Sequence, residues 1–376
     1  MKTALVHDWL TGWRGGERCL EAILPLFPDA PVYTLFHHPG SAKKEIESRP
    51  IVTSPLQRWP VPRSRYRWLL PFFPWAASRL DLDGFDLVLS ISHCVAKGVI
   101  IPPGAIHVSY CLTPMRYAWD LGGEYWRGSR LPLPAAPGGA LLRAWLRAWD
   151  RETSRRVTRF AAISRFVAAR IRRVYGRESE LIPPPVDCTR FVPDGRPESY
   201  FLIVSALQPY KRVADAVLAF RRLRLPLRIV GIGPERRRLE KLAGPETEFV
   251  GAVDEEALVK LYAGCRALVF AGVDDFGLAP VEAMACGRPV VALGRGGVLD
   301  TVIPLHGRNK KDATGVLYRG EGPGPLGEAI GRFIRNEDRF DPSVARRRAL
   351  EFDLPRFQER MRSFLEAAIA RRGDRC

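Results

Sequence analysis

No stretch of the 376 residues stays apolar for the ~20 positions that a membrane-crossing helix needs, although 46% of the chain is hydrophobic. The opening MKTALVHDWL meets His7 and Asp8 after a few apolar residues, so it reads as a first strand, not a signal peptide. Cysteine is scarce in pattern as well as in number. The seven fall at 19, 94, 111, 188, 265, 286 and 376, an odd total without a C-x-x-C pair. The pattern argues against a disulfide framework or a zinc site, and reduced thiols in a cytoplasm are expected. No short-period repeat, low-complexity run, helix-turn-helix, RNA-recognition module or zinc module is visible, which argues against a nucleic-acid partner. Gly15 and Gly16 follow the first strand but fall short of G-x-G-x-x-G, so a dinucleotide site is a poor reading.

What is present is an alternation of apolar runs and amphipathic segments, which implies parallel sheets with helices on both faces. The length calls for two domains of roughly 150–200 residues, and the pattern starts twice. Runs at Thr3–Val6, Val32–Phe36, Ile51–Thr53, Asp86–Ile91, His107–Cys111, Phe160–Ile163 and Glu180–Ile182 make the first unit. Tyr200–Val204, Leu227–Val230, Glu248–Val250, Ala267–Phe270, Pro289–Ala292 and Gly315–Tyr318 make the second. Between them Ile182–Pro185 (IPPP) reads as a stiff linker. The domains are expected at 1–183 and 186–350, with a terminal helix in 351–376. The net charge is +17; residues 1–180 hold 26 Lys+Arg against 15 Asp+Glu, or +11, and the remainder 32 against 26, or +6. A basic surface attracts nucleic acid, anionic lipid or a sugar-linked diphosphate alike, so charge does not choose among them.

The richest stretch is Phe270–Ala292, FAGVDDFGLAPVEAMACGRPVVA. A strand ends in a turn carrying Asp274 and Asp275. A helix opens near Leu278 with Glu282 on its early turns, and Gly287 closes it. Such a turn is where an open α/β sheet holds ligands, helix N-termini bind phosphate, and a carboxylate grips sugar hydroxyls. The plainer reading is a helix cap and a solvated glutamate. The stretch resembles the E-x7-E signature of the retaining GT-B glycosyltransferases of family four, with Asp274 in place of the first Glu. The resemblance implies two Rossmann-like domains facing across a deep cleft, and a nucleotide-sugar donor on the second.

Other motifs share the resemblance. FLIVSALQPYKR resembles the family's S-x-L-x-P-Y-K-R, whose Lys contacts the donor phosphate; this implies that role for Lys211. Many members carry Arg where this chain has Ala206, so Arg212 shares the phosphate. Paired cations there neutralise a diphosphate leaving group. The resemblance also places the nucleotide along Gly231 and Gly233, the base at Val250, and the donor against Phe276, Gly277, Leu278, Glu282, Gly296 and Gly297. Gly15 and Gly16 resemble the glycine pair that abuts donor phosphate and acceptor. YCLTPMRYAWD resembles Y-C-H-T-P-M-R-Y, with Leu112 where members carry the His near the reacting sugar. His93, in SISHCVAKG, is then the best remaining imidazole, against a plain structural role. Arg116, Tyr117 and Asp120 are candidate acceptor contacts, and Lys97 is either a site cation or a solvated helix residue.

RFAAISRFVAARIRRVYGRESELIPPPVD narrows the resemblance to bacterial mannosyltransferases of O-antigen and exopolysaccharide synthesis. It implies hexose transfer, mannose from GDP-mannose foremost, to a saccharide or polyprenyl-diphosphate-linked acceptor. The alternatives are another donor such as UDP-glucose, or a non-catalytic sugar-binding relative. Asp274, Glu282, Lys211 and His93 are the expected catalytic set. Asp81-Leu82-Asp83 precedes a strand instead of ending one, so neither a metal nor another cofactor is expected. Residues 56–80, LQRWPVPRSRYRWLLPFFPWAASRL, interleave arginines with aromatics as bilayer interfaces favour; an internal helix is the other reading. Arg143, Arg147, Arg151 and Arg155 repeat at i,i+4, with an amphipathic core helix as the bland account. A cytoplasmic protein on the inner face of the cell membrane is the expectation.

Overall fold

The computed structural model describes residues 1–119, 137–307 and 311–373. Asp120 lies outside them. The chain divides into two compact units, Met1–Pro185 with the tail from Pro355, and Val186–Leu354.

In unit 1, seven strands form one parallel sheet: β1 Thr3–His7, β2 Val32–Thr34, β3 Ile51–Thr53, β4 Leu87–Ser92, β5 Ile106–Cys111, β6 Arg159–Ala162 and β7 Ser179–Leu181. Their order is β3-β2-β1-β4-β5-β6-β7. The inner strands β1, β4 and β5 are buried throughout, which is why they read as continuous apolar runs instead of alternating ones. β2 stops at Thr34, short of the expected Phe36, because Leu35 N–H leaves the ladder for Asp8 O. His7 lies level with Ile91 and Ser92 with Cys111, so Asp8, His93 and Leu112 leave the sheet side by side.

The segment 56–80 packs part of its aromatics into the core, as the internal reading expects, and leaves others exposed. Its prolines forbid a long α-helix, and it runs as 3-10 turns (Pro55–Arg58, Arg63–Phe72) into a short helix, Phe73–Ser78. Tyr66, Leu70, Phe73 and Ala77 enter the core, while Trp59, Trp68, Phe72 and Trp75 are 38–45% exposed. Arg143, Arg147 and Arg151 of the arginine repeat lie on the helix Pro137–Thr153, and Arg155 on the 3-10 turn Ser154–Arg156 that follows. It is not uniformly solvated: Arg147 donates to Ala118 O and Arg151 to Val174 O.

Lys97 is neither a site cation nor solvated. Its ammonium is buried 2.7 Å from Asp150 Oδ1, at an angle poor for a hydrogen bond, and donates to Asp150 O (2.8 Å) and Thr153 Oγ1 (3.2 Å). Asp150 Oδ2 in turn accepts from Trp119 Nε1 and Tyr175 OH. The pair therefore ties the turn Ala96–Gly98 to the helix Pro137–Thr153. The last helix, Leu354–Gly373, belongs to unit 1 from Pro355 on. There Phe357 packs on Tyr110, and Gln358 Nε2 donates to Ala22 O.

Unit 2 holds β8 Phe201–Val204, β9 Leu227–Val230, β10 Thr247–Gly251, β11 Leu268–Phe270, β12 Val290–Leu293 and β13 Gly315–Tyr318. All pair in parallel, in the order β10-β9-β8-β11-β12-β13. Both units are thus doubly wound. Strand order reverses between β1 and β4 in one and between β8 and β11 in the other, and loops splay apart at such a reversal to leave a crevice. Among the described residues no helix is long and apolar enough to cross a membrane.

Candidate functional site

In unit 2 the reversal point brings together residues 63 positions apart. After β8 the chain turns through Pro209–Lys211, and after β11 it reaches Asp274. Lys211 Nζ lies 2.6 Å from both oxygens of Asp274, with each side chain about four-fifths buried. The cation and anion expected on phosphate and sugar are thus each other's partners here. The helix Leu278–Ala285 starts at Gly277, whose φ of 90° puts it in the left-handed region that glycine adopts freely. Glu282 on that helix is buried and accepts from Tyr262 OH at 2.7 Å. Phe276 is buried against Phe352, 5.6 Å between ring centres, so it supports the turn from beneath.

Gly296 and Gly297 pack onto that same turn. A Cβ on Gly297 would run into the backbone of Asp275 and Phe276, and Gly297 N–H donates to Asp274 O at 2.9 Å. Close backbone packing therefore accounts for these glycines in addition to any phosphate contact. Gly231 and Gly233 are held against the backbone of Ser205 and Leu207. Val250 sits where the β9–β10 register slips, between Phe249 and Gly251, so it leaves the ladder at the sheet edge.

Arg212 follows Lys211 at the same turn. Its Nε bonds Asp215 at 2.9 Å and its Nη1 bonds Glu321 at 2.6 Å, and its backbone has φ 55°. Two carboxylates thus hold the guanidinium, as Asp274 holds Lys211.

In unit 1 the corresponding point holds Asp8 and His93. Asp8 is fully buried and accepts four backbone N–H bonds, from His93, Cys94, Val95 and Ala96, at 2.6–2.9 Å. Burial alone would raise this carboxyl, but the neighbouring His93, through its ring and its N–H, together with His7, outweighs it and brings it down to about 2. His93 Nδ1 lies 3.0 Å from Asp8 Oδ2 in a bent contact. Its ring meets the edge of Trp9, 4.5 Å between centres. His7 is sealed off: Nδ1 bonds Trp9 O, and burial lowers its basicity. Gly16, at the start of the helix Gly15–Ile23, leaves room for His7 and Leu112, which a Cβ would approach to 3.1 and 3.3 Å.

Of the acceptor candidates, Tyr117 is a core residue, 2% exposed, and so corrects the expectation of a hydroxyl contact. Arg116 remains half-buried beside His93, to whose carbonyl its N–H donates at 3.3 Å. Tyr262, Asp215 and Glu321 escaped the sequence, since nothing near them in the chain marks their partners. Among the described residues no three His, Cys, Asp or Glu side chains gather as a metal set.

The profile of Glycosyltransferase Family 4 matches residues 13–190, and that of Glycosyl transferases group 1 matches 192–348. Both halves of the chain thus match glycosyltransferase models. A relative from Mycolicibacterium smegmatis, a GDP-mannose-dependent alpha-mannosyltransferase, is 32% identical over 257 residues, 62% of this chain and 63% of its own. The chain therefore matches less than two thirds of that relative's length. Solved structures share the GT-B fold of this chain. HepE of Anabaena in complex with UDP superposes with a TM-score of 0.72 at 17% identity, covering 98% of this chain and 100% of that one. Sucrose-phosphate synthase from Thermosynechococcus elongatus gives 0.73 at 18% identity, with the same coverage.

Proposed function

We propose that the protein is a retaining hexosyltransferase moving mannose from GDP-mannose to a lipid-linked or oligosaccharide acceptor in cell-surface polysaccharide synthesis. The observation that carries this reading is the Lys211–Asp274 pair at the strand-order reversal of unit 2, with Glu282 on the helix that follows. A diphosphate leaving group needs positive charge as its bond to the sugar breaks, and Lys211 supplies it. Asp274 then accepts hydrogen bonds from sugar hydroxyls, and Glu282 from the ribose. The acceptor hydroxyl attacks the anomeric carbon on the face that the diphosphate leaves, and its proton passes to the departing phosphate oxygen. Configuration is retained, no protein base is required, and Leu112 is compatible with turnover. The reaction runs without a metal, so a chelator leaves its rate unchanged.

The choice of mannose rests on the quoted motifs and on the mycobacterial relative. A UDP-linked donor is the second reading, favoured by the fold shared with HepE in its UDP complex. Offering GDP-mannose, UDP-glucose and other sugar nucleotides, and determining the anomer of any product, decides between them. Absence of both transfer and donor hydrolysis across the panel would leave the non-catalytic alternative standing.

Peripheral contact with the inner face of the membrane is part of the proposal. Trp59 meets Phe72 and Trp75, with ring centres 5.0 and 6.3 Å apart, and Arg65 lies over the exposed Trp68 at 4.7 Å. Exposed aromatics beside cations suit an anionic interface. Replacing Trp59 and Trp75 with Ser is expected to weaken binding to phosphatidylglycerol vesicles about tenfold or more, since two large apolar faces are lost. Transfer to a short soluble acceptor should persist. Equal vesicle binding by parent and variant in a sedimentation assay would remove the membrane from the account.

A further inference from the structure

His93 is the imidazole at the strand-order reversal of unit 1 whose side chain reaches the surface. Its exposure is 20%, whereas its neighbour His7 is fully enclosed and cannot meet a ligand. The ring's surroundings are unequal. Nδ1 is buried and lies 3.0 Å from the carboxylate of Asp8, so the exposed fifth of the side chain lies elsewhere on it. Trp9 presses edge-on against the ring and restricts its rotation.

Asp8 does more than cap a turn. It fixes the backbone of residues 93–96 through four N–H bonds and carries a full negative charge, held low to about 2 after the competing effect of burial. A carboxylate beside one nitrogen of an imidazole keeps the proton on that nitrogen and leaves the other as a lone pair, the arrangement by which a neighbouring acid sets a histidine tautomer. We infer that Asp8 is a positioning residue that holds His93 in the Nδ1–H tautomer, and that His93 Nε2 accepts a hydrogen bond from a hydroxyl of the sugar substrate. The inference rests on the glycosyl-transfer reading for its substrate, while the tautomer is a property of the free protein.

Two variants separate the two ring nitrogens. Gln at position 93 can bring its amide oxygen near the Nε2 position, whereas Asn reaches only as far as Nδ1. H93Q is expected to keep kcat/KM within about tenfold of the parent. H93N should lose tenfold to a hundredfold more than H93Q, the range for one hydrogen bond to a buried or charged partner. Both should fold and bind GDP as the parent does, judged by thermal melting and calorimetric titration. A long-range proton–nitrogen NMR spectrum of the free protein should show His93 protonated at Nδ1. Asp8→Asn, where it folds, should behave as H93N does.

Parental activity in both variants, an equal loss in both, or retention in H93N with loss in H93Q would each overturn the inference. So would an Nε2–H tautomer. If the parent binds and turns over no sugar nucleotide, the glycosyl-transfer reading fails instead, and the NMR result still reports on Asp8.

Discussion

Lys97→Met is expected to destabilise unit 1 by about 3–5 kcal/mol, the usual loss when one partner of a buried ion pair is removed. Both side chains are at most 1% exposed, so no water can replace the missing ammonium beside Asp150. Trp119 and Tyr175 still donate to Asp150 Oδ2, but the carboxylate keeps a buried charge without its cation. Met fills most of the volume that Lys97 occupies against Trp149 and Tyr175, so lost packing is a small part of the effect. Urea unfolding of parent and variant measures the difference. A change below about 1 kcal/mol would mean that the pair barely outweighs its own desolvation, as buried ion pairs sometimes do.

Asp274→Asn and Glu282→Gln should each cut turnover tenfold to a hundredfold, from the loss of roughly 1.5–3 kcal/mol per charged hydrogen bond. Their effects on nucleotide affinity should differ. Asn at 274 releases Lys211 from its ion pair, so a nucleoside diphosphate should bind D274N at least as tightly as the parent. Gln at 282 keeps a group for Tyr262 OH to bond but weakens the grip on ribose, so nucleotide affinity should fall along with turnover. Near-parental transfer by both variants at saturating donor and acceptor would remove these carboxylates from the donor site.

The strands of both units were legible because parallel strands buried on both faces are continuous apolar runs, as LVLSIS and PVVAL show. The Asp274–Glu282 turn was legible because its parts are close in sequence. Long-range pairings were not. Lys97 looks like a helix-surface lysine until Asp150, 53 residues away, closes over it. Glu321, 109 residues on from Arg212, is equally out of sight as its partner. Tyr117 sits in a loop motif that suggests contact with substrate, yet its ring is in the core, a choice made by tertiary packing alone. Residues 56–80 resisted a single reading because one face of the segment packs inward while tryptophans occupy the other. Asp8 stood in plain view beside His7, but only the fold brings it under residues 93–96.

The central claim is that the reversal point of unit 2 holds the diphosphate of a sugar nucleotide, and calorimetric titration of GDP and UDP into the parent and Lys211→Ala tests it most directly. The account predicts that the parent binds a nucleoside diphosphate and that the variant binds it about tenfold to a hundredfold more weakly, the value of one charged hydrogen bond. Unchanged affinity in the variant for every nucleotide that the parent binds would contradict it and place the diphosphate elsewhere on the chain.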